Sequence, residues 1–146
     1  MSKNPFRQIL NEENGDVIIE RARWCDSFGS KTRGFTFRRS LAPGEGLVLV
    51  ESSDSRINSG ITMLFCFLDL GIVWVNGNGE VVDTAIARPW RPSYLPKAPA
   101  RYAIEADPVI VERVRPGDHL LFVEITDTAD QQAKTAHNSA RRDSVL

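Results

Sequence analysis

The chain has 146 residues and 16.3 kDa, with 18 Lys+Arg against 19 Asp+Glu, a net charge of −1. Hydrophobic residues make up 42% and charged residues 25%, close to the average soluble globular chain, which excludes a collagen-like, coiled-coil, multipass-membrane or wholly disordered protein. One domain, with or without a tail, fits this length, and it should bury roughly 65–70% of its unfolded surface without needing staples.

Residues 1–16 are mostly polar and read as an N-terminal arm. They show no apolar secretory core and no small-residue cleavage site. Asn14-Gly15-Asp16 is a turn signal, and Val17-Ile18-Ile19 opens a strand that period-two alternation carries through Ala22 and Trp24 towards Phe28. Ser30 or Thr32 could cap a short helix near residues 30–40, although Gly34 weakens it by about 1 kcal/mol relative to Ala. Pro43-Gly44 turns the chain into the strand Gly46–Val50, and residues 51–60 read as a polar loop.

Residues 61–75 are the most apolar stretch and suggest two short strands or one bent strand. Asp69 and Gly71 interrupt it, and it is shorter than the ~18 residues of a membrane span. Asn76-Gly77-Asn78-Gly79 is the strongest local signal, since a tight hairpin needs positive φ. Val73–Val75 and Glu80–Val82 should pair across it. Residues 88–101 hold four of the eight prolines and form a long semi-rigid loop. Tyr102–Glu105 reads as a strand, Val109–Val114 as an apolar segment, Pro116-Gly117-Asp118 as a turn and His119–Ile125 as the last strand. Beyond residue 126 the periodicity fades, so 127–146 is expected to be a disordered or weakly helical tail.

These signals predict a mainly β chain: a compact β-sandwich or barrel over residues 17–126 with one short helix near residues 30–40. Cys25 and Cys66 read as reduced, partly buried thiols rather than a disulfide framework. The histidines, His119 and His137, stand at no zinc spacing from them. The expectation is a cytoplasmic monomer with no cofactor and no metal. Its partner would be a small molecule or a protein; the sequence argues against specific nucleic-acid binding and against a membrane.

Several segments, in order, resemble the bacterial and archaeal family called domain of unknown function 192. They are Arg33-Gly34-Phe35-Thr36-Phe37-Arg38, then Leu41–Val50, Ile61–Phe65, Ile72–Val82, Tyr102-Ala103-Ile104-Glu105 and Gly117-Asp118. The resemblance spans roughly residues 17–125 and implies a mostly β fold with a short helix; it brings no activity with it. Two departures stand out. Thr62-Met63-Leu64-Phe65-Cys66 replaces a polar stretch common in the family, and Gly71 stands where many members carry an acid. Polar groups that form a site elsewhere in the family would here be partly lost.

Charge distribution is the most informative functional feature. Residues 20–39 hold six basic and two acidic side chains, and residues 88–101 hold Arg88, Arg91, Lys97 and Arg101 with no acid. Both segments carry aromatics: Trp24, Phe28, Phe35 and Phe37 in the first, Trp90 and Tyr94 in the second. Basic side chains beside exposed aromatics suit an anionic or stacking ligand, and prolines reduce the ordering cost of binding. Trp90 and Tyr94 could form a recognition platform or cover the open end of the barrel. The candidate ligand-binding residues are therefore Arg33, Arg38, Arg88, Trp90, Arg91, Tyr94 and Glu105. Arg33 and Arg38 are expected to be structural first, pairing with Glu105.

No nucleophile elbow or cysteine–histidine arrangement stands out. The leading reading is a small binding or interaction module, with an anionic or carbohydrate-like ligand as one candidate, without assigned catalytic residues. The alternative is a small hydrolase using a carboxylate, Glu105 or Asp118.

Overall fold

Period-two alternation sorts the strand residues onto two faces, and both faces are buried over much of the molecule. A computed structural model describes residues 5–26, 41–42 and 44–125. Its elements are β1 (Phe6–Asn11), β2 (Val17–Cys25), β3 (Glu45–Ser55), β4 (Leu70–Val75), β5 (Val81–Ala87), β6 (Ala100–Ala106), α1 (Ile110–Arg113) and β7 (Leu120–Glu124). The strands form one sheet in the order β5-β4-β6-β3-β2-β1-β7. All neighbouring pairs are antiparallel except β2 and β3, which run parallel from Arg21↔Glu45 to Cys25↔Leu49.

The sheet curls into a half-barrel whose first and last strands meet at one corner. There Glu80 bridges His119. The Val81 amide donates to the Asp118 carbonyl at 2.8 Å and the Leu120 amide to the Gly79 carbonyl at 2.8 Å. The concave side is filled by residues from every strand: Ile9, Ile18, Ala22, Val48, Val50, Val73, Val75, Val81, Ile104 and Leu120, with Ile110 of α1. A second layer lies on the convex side, where Leu47, Leu70, Ile72, Trp74, Ala87 and Ala103 are covered by Ile61, Met63 and Cys66. All six residues of β4 are buried as a result, which is why this strand reads as a continuous apolar run rather than an alternating one.

Several expectations need correction. The arm contributes β1, which lies between β2 and β7. Register shifts at Arg7/Ile9 and Ile9/Leu10 break its period of two and conceal it in the sequence. β3 runs on through Ser55, because the side chains of Ser52, Ser53 and Asp54 face solvent while the backbone is extended. Only Leu70–Val75 of the 61–75 stretch is strand. The short helix that is described lies at Ile110–Arg113, within the segment Val109–Val114. The helix expected near residues 30–40 and the tail at 127–146 lie outside the described residues, as do Arg33, Arg38, Phe28, Phe35 and Phe37.

The Asn76–Gly79 hairpin forms as expected, with Val75 opposite Val81 and Trp74 opposite Asp83. Asn76 Oδ1 accepts the amides of Asn78 and Glu80, both at 3.0 Å, and Gly79 takes φ +86°. Gly71 permits a close approach: a Cβ there would stand 2.5 Å from Ile110 Cγ2 and 2.8 Å from the Asp107 carbonyl oxygen. Gly71 therefore lets α1 pack closely against the sheet.

Two glycine substitutions test this geometry by urea unfolding. Gly79→Val should lose about 1–2 kcal/mol through its left-handed backbone, whereas Gly77→Ala should stay within about 0.5 kcal/mol. Gly71→Ala should lose about 1–3 kcal/mol by overpacking. Equal losses at Gly77 and Gly79 would contradict the turn geometry.

Candidate functional site

Two irregular segments, residues 56–69 and 88–97, cover the convex layer and brace each other through the backbone. Ile61 and Tyr94 exchange amide–carbonyl bonds at 2.8 and 2.9 Å. The Met63 amide donates to the Arg91 carbonyl at 2.9 Å, and the Trp90 amide donates to the Met63 carbonyl at 2.8 Å. Trp74, buried in the layer below, donates its indole N–H to the Ser59 carbonyl at 2.8 Å. Arg56 Nε donates to the Pro96 carbonyl at 2.8 Å. These backbone groups are thus satisfied without a continuous ladder.

A tight turn, with the Cys66 amide on the Met63 carbonyl at 3.1 Å, sorts the apolar run. Met63 and Cys66 face inward and are buried, while Leu64, Phe65 and Phe67 face outward. Trp90 completes an exposed ring cluster. Its centroid is 5.2 Å from that of Phe65 and 5.5 Å from that of Phe67, both edge-to-face. Phe65, Phe67 and Trp90 are 50%, 39% and 47% exposed. Phe65 has φ 61° and Trp90 φ 68°, the only non-glycine residues with positive φ among those described. Bulky side chains rarely occupy this left-handed region, which costs about 1–3 kcal/mol per residue.

The sequence-derived candidates separate here. Trp90 is the exposed platform residue, whereas Tyr94 is half-buried against the convex layer and its hydroxyl accepts the Arg88 amide at 2.8 Å. Arg88 is exposed and forms an ion pair with Asp69. Arg91 is exposed beside Trp90. Phe65 and Phe67 escaped the sequence reading because Met63–Phe67 reads as core. The signal was there only as a five-residue apolar run adjoining a long proline-rich loop.

Glu105 lies on β6 between Leu47 of β3 and Ile72 of β4, and it is buried. Tyr102, three residues earlier, belongs to the concave side, where its ring is 5.7 Å from Trp24 and 4.9 Å from Phe122. The Tyr102–Glu105 motif is therefore split across the sheet, because an odd spacing in a strand points to opposite faces. Trp24, with the Arg7 guanidinium 4.9 Å from its ring centroid, is likewise on the concave side. Within the described residues, the two basic–aromatic segments do not merge into one surface. Asp118 sits at the β5–β7 corner, its carboxylate accepting the Arg115 amide at 2.9 Å. Glu105 and Asp118 thus occupy separate environments.

Burial pushes the Glu105 carboxyl up from 4.5 to about 7, since a carboxylate among apolar side chains loses its hydration. Burial also raises the Cys66 thiol, with a smaller contribution from the Glu105 charge. Between these two Glu105 values the unfolded chain binds fewer protons than the fold. Stability should fall as pH rises through that window and level off above about pH 7. The difference corresponds to roughly 3 kcal/mol. Glu105→Gln should flatten this fall and raise stability at about pH 8, read by urea unfolding at about pH 5 and about pH 8. A loss of stability at the higher pH would instead reveal a cation paired with the carboxylate.

Comparisons with known proteins follow the same fold. The family model described as DUF192, an uncharacterized ACR, matches residues 9–122. A UPF0127 protein of Pyrococcus furiosus is 35% identical over 114 residues, covering 77% of this chain and 95% of that protein. A UPF0127 protein of Pyrococcus horikoshii is 32% identical over 108 residues, covering 74% and 90%. A crystal structure from Sinorhizobium meliloti, described as a candidate transcription regulator, superposes with a TM-score of 0.71 at 18% identity, covering 86% of this chain and 99% of that one. With the half-barrel, the ordered motifs and the family match over most of its length, the chain belongs to the DUF192 family.

Proposed function

We propose that this protein is a binding module that holds a partner protein on the exposed aromatic face formed by residues 56–69 and 88–97. One observation carries the reading: the two non-glycine residues with positive φ, Phe65 and Trp90, belong to the same exposed ring cluster. Strain of this kind persists only where surrounding contacts over-determine it, and it concentrates at functional surfaces. Burying these rings would have been the ordinary use of a phenylalanine and a tryptophan; here the backbone is held so as to present them.

The composition agrees with an interface. Leu64, Phe65, Phe67 and Trp90 are exposed together, and Ile57 and Leu95 are exposed on the same two loops. Clustered large apolar side chains on a surface mark association sites, and Trp and Arg dominate the binding energy where they occur. The exposed rings supply contact area, which suits a protein partner better than a small anionic or carbohydrate-like ligand. With Glu105 and Asp118 in separate environments, no observation here favours the hydrolase alternative over binding.

Selection of random peptides displayed on phage against the immobilised protein tests the proposal. The wild type should enrich a peptide family that Trp90→Ala and Phe67→Ala each fail to bind, at a cost of at least about 2 kcal/mol per hot-spot ring. Both variants should keep a cooperative thermal transition, since the rings are substantially exposed. Enrichment that survives both substitutions, or no enrichment at all, would contradict the proposal.

A further inference from the structure

The face that presents the rings is also electrostatically one-sided. Residues 56–69 and 88–97 carry Arg56, Arg88, Arg91 and Lys97 against a single acid, Asp69, a net +3. Because the whole chain is −1, the remainder carries −4. All four cations are exposed. Asp69 is engaged with Arg88. Arg56 is anchored by its Nε on the Pro96 carbonyl, and its neighbour in sequence, Ile57, is 81% exposed. Among the described residues, the side chains of Arg91 and Lys97 form no ion pair, although the Lys97 amide donates to the Asp83 carboxylate at 3.1 Å.

We infer that the partner segment bound on this face is an acidic peptide with apolar side chains interspersed among its carboxylates. The inference rests on the binding-module reading and names the chemistry of what that module takes. Three of the four cations are arginines, whose planar forks pair carboxylates bidentately and are more weakly hydrated than an ammonium. Arg88 and Arg91 lie on the same loop as Trp90, whose exposed ring offers apolar contact area. A segment carrying both carboxylates and apolar side chains satisfies the two together, and neither a neutral nor a basic segment does.

Charge also discriminates among other occupants. A second copy docking face to face through a two-fold axis would set +3 against +3, and like charges across an interface are costly. An anionic lipid surface would also meet the charge requirement. However, Phe65 and Phe67 each pack edge-to-face on Trp90 rather than projecting singly as membrane anchors do. Single-stranded nucleic acid would also meet it, by stacking bases on rings. Here Phe65 and Phe67 each meet Trp90 edge-to-face across two loops rather than forming a row of parallel faces.

The peptides selected on phage supply the probe. The expected pool is rich in Asp and Glu alternating with apolar residues. Its synthetic members should lose at least about tenfold in affinity when Asp and Glu are replaced by Asn and Gln, and a similar factor in Arg91→Glu, with Arg91→Lys recovering part of it. That dependence should shrink as salt is raised from about 50 to about 500 mM. Trp90→Ala should abolish binding of the acidic peptides and of their amide counterparts alike. A neutral or basic pool whose binding needs Trp90 would overturn the acidic assignment and leave the binding-module reading standing. No Trp90-dependent pool would overturn both. Phosphatidylcholine–phosphatidylserine vesicles or an oligo-dT strand binding more tightly than every peptide, and losing that binding in Trp90→Ala, would replace the peptide with a lipid surface or a nucleic acid.

Discussion

Burial of β4 on both of its faces is the constraint on which the rest depends. Leu70 to Val75 contains no side chain that could face water at low cost, and all six positions are buried. A sheet can hide one face of such a strand by curling, and it does so through Val73 and Val75 against Ile104, Ile9 and Leu120. The other face, Leu70, Ile72 and Trp74, needs a separate cover. That cover comes from two connections rather than from a second sheet, so their backbones find partners largely in each other.

The aromatic face follows from that cover. To seat Met63 and Cys66 on the convex layer within one tight turn, the intervening residues must point outward, which exposes Leu64 and Phe65. Trp90 then lies against both Phe65 and Phe67, held by its amide on the Met63 carbonyl. The left-handed backbone at residues 65 and 90 is thus locked by contacts on both sides. A preformed face of this kind loses little entropy on binding, which is the physical advantage of placing aromatic groups on braced loops. Glu105 belongs to the same convex layer, where burial raises its pKa.

Much of the fold was legible in the sequence. The hairpin at Asn76–Gly79, the strands around Val17, Val48, Tyr102 and Leu121, and the mainly β class all follow from period two and turn chemistry. β1 was hidden because its bulges scramble the alternation of Phe6 and Ile9, and the far half of β3 because its outward residues are serines and an aspartate. Trp90, Arg88 and Arg91 were legible as candidates because the proline-rich loop holds basic and aromatic residues without an acid. Phe65 and Phe67 were not, because an apolar run carries no mark of which members a tight turn will reverse. The separation of Trp24 from Trp90, and of Tyr102 from Glu105, depends on which side of a curled sheet each strand residue takes.

A preformed binding face requires the ring cluster to be both solvent-facing and rigid. Backbone ¹⁵N relaxation of the full chain, with the φ-dependent coupling measured at the same residues, addresses both Phe65 and Trp90. Order parameters near about 0.85 with couplings of a left-handed residue at both positions are predicted. Values below about 0.6 with averaged couplings would show a loose loop that presents no preformed face.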